Sequence, residues 1–144
     1  MIKYKKGGYK YRLAEDYRVR IPMAEDYRVR IPITGHSIDI GVIRLTKTGW
    51  LTIRKGYAWD GPSGPAIDTN NFMRGSLVHD ALYQLMRQGW LSVLYRKAAD
   101  QLLRDMCIED GMWRIRAAWV YWAVRNFAAR AADKEHQREI LTAP

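Results

Sequence analysis

The stretch Asn70-Asn71-Phe72-Met73-Arg74-Gly75-Ser76-Leu77-Val78-His79-Asp80-Ala81-Leu82-Tyr83-Gln84-Leu85-Met86-Arg87-Gln88-Gly89 is where the chain changes its period. From Asn70 onward apolar residues follow helical spacing. Thr69, Asn70 or Asn71 can cap this helix, which runs to about Gln88, and Gly89 can stop it. Ser92 caps a second helix to about Asp110, ended by Gly111. A third helix is expected from about Met112 to Lys134, followed by a polar tail over 135–144.

Upstream of Asp60 the period is two. Tyr9 and Tyr11 alternate with basic residues. Tyr17, Val19 and Ile21 alternate with arginines, as do Tyr27, Val29 and Ile31. Ile38, Ile40 and Val42 alternate with Asp39 and Gly41. Ile43–Thr46, then Lys47-Thr48-Gly49, then Trp50–Ile53 reads as a hairpin with a glycine-containing turn. Pro22 and Pro32 lack an amide donor and belong at strand ends or edges. The pattern therefore predicts one α+β domain over 1–144, an antiparallel sheet followed by three helices. Its β-rich part covers 1–60, a stiff loop 61–70 and the helical part 71–134.

Ala-Glu-Asp-Tyr-Arg-Val-Arg-Ile-Pro occurs at Ala14–Pro22 and again, identical, at Ala24–Pro32. Nine matches in nine mark a recent tandem duplication, natural or engineered, rather than a solenoid, which needs more units. The ten-residue step over 14–33 is even, so every downstream side chain keeps its face of the sheet. Either copy can occupy the native register.

The chain has 144 residues, 48 % hydrophobic and 27 % charged. Such a composition excludes a wholly disordered tail. A domain of this length buries roughly 68–70 % of its unfolded surface and folds without a metal or disulfide. The single Cys107 excludes an intramolecular disulfide and a zinc site built on cysteines. No segment reaches the roughly 18 apolar residues of a membrane-spanning helix, and the basic start lacks a signal-peptide core. The expectation is a soluble, unprocessed chain.

The net charge of +9 is uneven. Residues 1–60 carry 13 Lys/Arg against 6 Asp/Glu, whereas 61–144 carry 11 against 9. Lys3, Lys5, Lys6, Lys10 and Arg12 precede the first acid. Such a patch suits nucleic acid, an anionic membrane or an acidic protein, or serves as an edge strand that lysines keep from pairing.

The helical hairpin supplies the candidate chemistry. With its turn near 88–91, residues whose numbers sum to about 179 lie level. His79 and Asp100 satisfy this, and so do Tyr83 and Arg96. A carboxylate level with an imidazole holds one ring N–H and turns the other nitrogen into a directed base. Asp80 points about 100° round the helix from His79. It can face the loop Asp60-Gly61-Pro62-Ser63-Gly64-Pro65, two prolines and two glycines that preclude regular structure. With that loop's carbonyls it can hold a hard cation such as calcium. The other reading is structural: His79 and Asp100 satisfy each other in the core, with Tyr83 and Arg96 as a brace.

The segments Asp-Gly-Pro-Ser-Gly-Pro, Asn-Phe-Met-Arg-Gly-Ser-Leu-Val-His-Asp-Ala-Leu-Tyr and Tyr-Arg-Lys-Ala-Ala-Asp, in that order, resemble an uncharacterised family of small bacteriophage and prophage proteins. Its members share a D-G-x-S-x-P loop and an H-D-x-L-Y helix, and the likeness spans about residues 40–130. It implies a phage or prophage origin, hence the infected bacterial cytoplasm or the virion, and brings no activity with it. His79, Asp80, Tyr83 and Asp100 are also locally similar to the small calcium-dependent phospholipases. That resemblance implies His79 as the base activating water, Asp80 as calcium carboxylate, Asp100 as orienter and Tyr83 as brace. Those enzymes are disulfide-dense, unlike this chain.

Other templates fit less well. His36 with His79, Asp80 and Asp100 resembles the metal phosphohydrolases, but their ligands all project from helices, and His36 lies among the strands. Ser63 is not in a G-x-S-x-G elbow, and no phosphate-binding glycine loop is present. His136 lies in the polar tail, and Cys107 reads as a small buried hydrophobe. On the third helix Ile115, Trp119, Trp122 and Asn126 form one stripe and Val120, Val124, Phe127 and Ala131 the next. This predicts a central helix covered by the sheet and the hairpin. The alternatives are a subunit interface or a membrane-surface contact. Its aromatics sit in an apolar setting, which argues against nucleic acid, although the basic N-terminus leaves that partner open.

Two functions remain at this point. One is a phage-encoded hydrolase of a carboxylic ester, phosphoester or amide, with His79, Asp100 and Tyr83 at its centre, Asp80 as a metal ligand, and Asp60, Gly61, Ser63 and Arg96 beside them. The other is a virion or host-interaction protein, or a homo-oligomer, in which the cluster is a clasp.

Overall fold

The computed structural model describes residues 21–59 and 70–132. Strands β2 (Tyr27–Arg30), β3 (Ile38–Asp39), β4 (Ile43–Leu45) and β5 (Trp50–Ile53) form an antiparallel sheet in the order β2-β5-β4-β3. Strand β1 (Ile21–Pro22) pairs separately with β6 (Ala58–Trp59). Three helices follow: α1 (Asn70–Arg87), α2 (Arg96–Glu109) and α3 (Arg114–Phe127). The arrangement is α+β, as the change of period predicts.

The sheet is two-faced because its side chains alternate. Ile38, Ile43, Leu45, Leu51 and Ile53 are buried on one face, continued by Ile31 and Ile33 beyond β2. Arg28, Arg30, Arg44 and Asp39 are exposed. The Arg28 guanidinium lies 4.2 Å above the Trp50 ring, covering it from the solvent side. The Ile43–Ile53 hairpin forms as expected. Its turn needs Gly49 at φ 94°, where a Cβ would stand 2.4 Å from the Ile31 carbonyl oxygen. Pro22 ends β1, and Pro32 lies two residues past the edge strand β2.

The second repeat copy supplies strand β2: Tyr27, Arg28, Val29 and Arg30 face Ile53, Thr52, Leu51 and Trp50. Of the first copy, only Ile21 and Pro22 are among the described residues. Ile38–Val42 is not one continuous strand. The chain turns after Asp39, whose Oδ1 accepts from the Gly41 amide at 2.9 Å. Ile40 N donates to Ile43 O at 3.0 Å, and Val42 is left in the solvent-exposed turn. A side chain that satisfies a turn amide outweighs a short run of alternation.

Helix α1 lays Leu77, Val78, Ala81, Leu82 and Leu85 into the core shared with the sheet. Helix α2 packs on α1, with Gly75 closely facing Leu103 and Cys107. Ser92 caps the 3-10 turn Val93–Tyr95 that leads into α2, its hydroxyl accepting from Leu94 N. Arg74 ties α1 to the end of α2 through Asp110 and Glu109, and reaches Tyr27 on β2.

Helix α3 departs from expectation twice. It ends at Phe127, not Lys134, and gives way to a 3-10 turn, Ala129–Ala132, whose Ala131 carbonyl accepts from Arg87 at 2.6 Å. It also lies on the outside of α2 rather than at the centre. Ala117 and Val120, with Val124, join Phe72, Leu103, Cys107 and Met112 in a second small core. Ile115, Trp119, Trp122 and Phe127 are exposed. The aromatic stripe that reads as core in sequence is a surface.

Candidate functional site

His79 and Tyr83 stand one turn apart on α1 and so face the same way. Asp100 faces them from α2, as the level count across the hairpin requires. His79 Nε2 lies 2.6 Å from Asp100 Oδ1, and Tyr83 Oη donates to the same oxygen at 2.6 Å. The imidazole rests on the Tyr83 ring with centroids 4.2 Å apart. Arg96 Nη1 is 3.4 Å from Tyr83 Oη and 3.8 Å from Asp100 Oδ2. It also donates to the Val124 carbonyl at 3.2 Å.

Asp100 is fully buried, at 0 % exposure. Burial alone would push its carboxyl upward. Hydrogen bonds from His79 and Tyr83, the His79 charge and Arg125 outweigh that and hold it below the usual carboxylate range. Tyr83 is pushed upward, first by burial and then by its bond to Asp100, and keeps its proton. An ionised carboxylate only accepts, so Nε2 of His79 carries the hydrogen between them. In the neutral ring Nδ1 then holds the lone pair. Among the described residues Nδ1 has no hydrogen-bond partner, and the His79 side chain is 12 % exposed. An oriented ring with one basic nitrogen that no described residue engages can take a proton from a water or hydroxyl that reaches it.

Arg125 of α3 completes the cluster, and the sequence reading missed it. Its Nη1 donates to Asp100 Oδ2 at 2.8 Å. Asp100 stands 11 residues before Gly111 and Arg125 stands 14 after it, so the same count leaves them less than one helical turn from level, within reach of a long arginine side chain. The apolar stripes of α3, which dominate its sequence, conceal it.

Asp60, Gly61 and Ser63 lie outside the described residues, as do the basic N-terminus and His136. Asp80 is half-buried beside His79. Among the described residues no three His, Cys, Asp or Glu side chains come together. These residues alone therefore do not make a calcium site. His36 stands edge-on to Tyr95, ring centroids 5.0 Å apart. Burial pushes the Cys107 thiol up to about 11, which suits its place in the second core. No helix among the described residues is long and apolar enough to cross a membrane.

No family model, curated protein or solved structure matches the chain.

Proposed function

We propose that the protein is a hydrolase in which His79 Nδ1 is the general base. The carrying observation is the fully buried Asp100 carboxylate fixed on His79 Nε2 at 2.6 Å while the His79 side chain as a whole stays 12 % exposed. Water at Nδ1 gives up a proton as its oxygen bonds to a carbonyl carbon or phosphorus. The imidazolium formed is stabilised by Asp100 and passes the proton to the departing alkoxide or amine. Tyr83 and Arg125 hold Asp100 still and ionised, so that the ring does not swing. A carboxylic ester, a phosphoester and an amide all suit this chemistry. A cation held by Asp80 and the loop carrying Asp60, Gly61 and Ser63 belongs to the same reading, as does the phage origin implied by the sequence resemblance.

One observation favours a second reading, a structural clasp. Asp100 joins all three helices: His79 and Tyr83 from α1, its own α2, and Arg125 from α3.

The test is hydrolysis of a chromogenic ester, a phosphodiester and an anilide, with and without added calcium, by wild type and His79→Gln. Turnover of at least one compound is expected, with a loss of about 10²–10⁴-fold in the variant. Absence of turnover on all three, or an unchanged rate in the variant, overturns the proposal.

A further inference from the structure

Helix α3 and its N-cap residue leave five large apolar side chains about half or more exposed: Trp113 83 % exposed, Ile115 85 %, Trp119 49 %, Trp122 53 % and Phe127 75 %. Ile115, Trp119 and Trp122 run along one stripe, about 180° round the helix from the Ala117, Val120 and Val124 side that packs on α2. The stripe is about 10 Å long. Scattered exposed apolar residues need no explanation, but a continuous row of them marks a contact surface.

Charge decides what the contact is. Between Arg114 and Phe127 the helix has Arg114, Arg116 and Arg125 and no acid. Arg125 is turned inward onto Asp100, while Arg114 is exposed and Arg116 partly so. Both free arginines occupy the first turn, where the helix dipole is already positive and Trp113 makes no side-chain cap. Alone, that is an unfavourable way to begin a helix. Against a negatively charged surface it becomes favourable. A second copy fits worse. Parallel pairing of two such helices sets Arg114 and Arg116 each against itself, and α3 has no carboxylate to relieve them.

We propose that α3 docks on an anionic lipid bilayer. Trp119, Trp122 and Ile115 enter the interfacial region, and Arg114 and Arg116 reach lipid phosphates from the helix start. Tryptophan suits that depth because its ring is apolar and its N–H polar. Ala117 and Val120 keep the helix on the protein, so the contact is peripheral. The proposal stands apart from the chemistry of His79.

Vesicle flotation tests it, using phosphatidylglycerol mixed with phosphatidylcholine against phosphatidylcholine alone. Wild type is expected to float with the anionic vesicles, less so at high salt. Trp119→Ser with Trp122→Ser should weaken binding at least about tenfold. Arg114→Gln with Arg116→Gln should reduce the preference for phosphatidylglycerol. Circular dichroism checks that each variant is folded, and Trp113→Ser with Ile115→Ser replaces the tryptophan pair if that pair fails. No flotation with anionic vesicles overturns the proposal. Flotation unchanged by the apolar substitutions does so too, because it assigns lipid contact to other basic residues. A vesicle-free dimer that the tryptophan substitutions dissolve overturns it in favour of a second copy.

Discussion

Arg125 Nη1 meets Asp100 Oδ2 at 2.8 Å, on the oxygen that His79 and Tyr83 leave untouched. The carboxylate is thereby divided, one oxygen for α1 and the other for α3. Arg96, at 3.8 Å from Oδ2, is too distant for a hydrogen bond and only contributes charge there.

Arg125→Met should therefore strip Oδ2 of its donor while keeping most of the side-chain volume. A buried carboxylate that loses a charged donor costs about 1–3 kcal/mol, and the partly exposed guanidinium puts the loss toward the lower end. The end of α3 should loosen with it. Urea unfolding at neutral pH checks this; a change below about 0.5 kcal/mol would show that Arg96 replaces Arg125 fully.

His79→Asn separates the two readings of the cluster. If His79 is a base, stability should change by less than about 1–2 kcal/mol while hydrolysis falls at least about 100-fold. If the cluster is a clasp, Asp100 is stranded and the cost rises to about 3–5 kcal/mol, with function failing only as the protein unfolds. A melting curve and a rate on the same preparation decide. A strongly destabilised variant that keeps full activity in the cold would sink the base.

The readable and unreadable parts divide on physical grounds. His79, Asp100, Tyr83 and Arg96 were legible because two helices joined by a short turn have a fixed rise, so residue numbers become heights. The inward face of the sheet was legible because strand side chains alternate. Helix α3 was not. Its Ile115, Trp119 and Trp122 look like core by residue type, and nothing local states that Ala117 and Val120 face the protein instead. Past its early end at Phe127 the chain makes a tertiary contact, Arg87 with the Ala131 carbonyl, that no local pattern announces. The break at Asp39-Ile40-Gly41 is legible in principle, since Asp two residues before Gly is turn chemistry, but the alternation of Ile38, Ile40 and Val42 is the louder pattern.

Acid should act through Asp100. Its carboxyl titrates below the ordinary range in the folded protein and near 3.9, the usual aspartate value, about where an unfolded chain takes up its proton. Above that value both states are ionised and the stabilisation is fully present. As pH falls past it the unfolded chain binds a proton first, and stability declines until the folded value is also passed. The stability gap between wild type and Asp100→Asn should thus be flat above about pH 5 and narrow below about pH 4. Urea midpoints across that range measure it. A gap that widens with acid would mean that burial wins and the carboxyl sits high.

The tandem repeat permits a sharper experiment than a single deletion. Removing Ala24–Ile33 joins Met23 to Thr34; removing Ala14–Met23 joins Leu13 to Ala24. Because the two copies are identical, the resulting chains differ at one position, Met in the first and Ile in the second, where Ile33 is now buried. In both, one copy remains to pair with Trp50–Ile53 as Tyr27–Arg30 does, and the even step keeps its tyrosine and valine facing the core. Tyr11-Arg12-Leu13 then takes the place of Ile21-Pro22-Met23 opposite Tyr57, Ala58 and Trp59, where Met23 N now donates to the Tyr57 carbonyl at 2.8 Å. Each deletion spares the ordering entropy of ten residues, so both chains should fold with stability equal to or above that of the full chain. The isoleucine chain should exceed the methionine chain by less than about 1.5 kcal/mol, the cost of a near-isosteric core exchange. Thermal melts of the three proteins measure both differences. A fall of more than about 4 °C in both deletions, roughly 1 kcal/mol for a domain near this size, would show that each copy supplies pairing the other cannot replace.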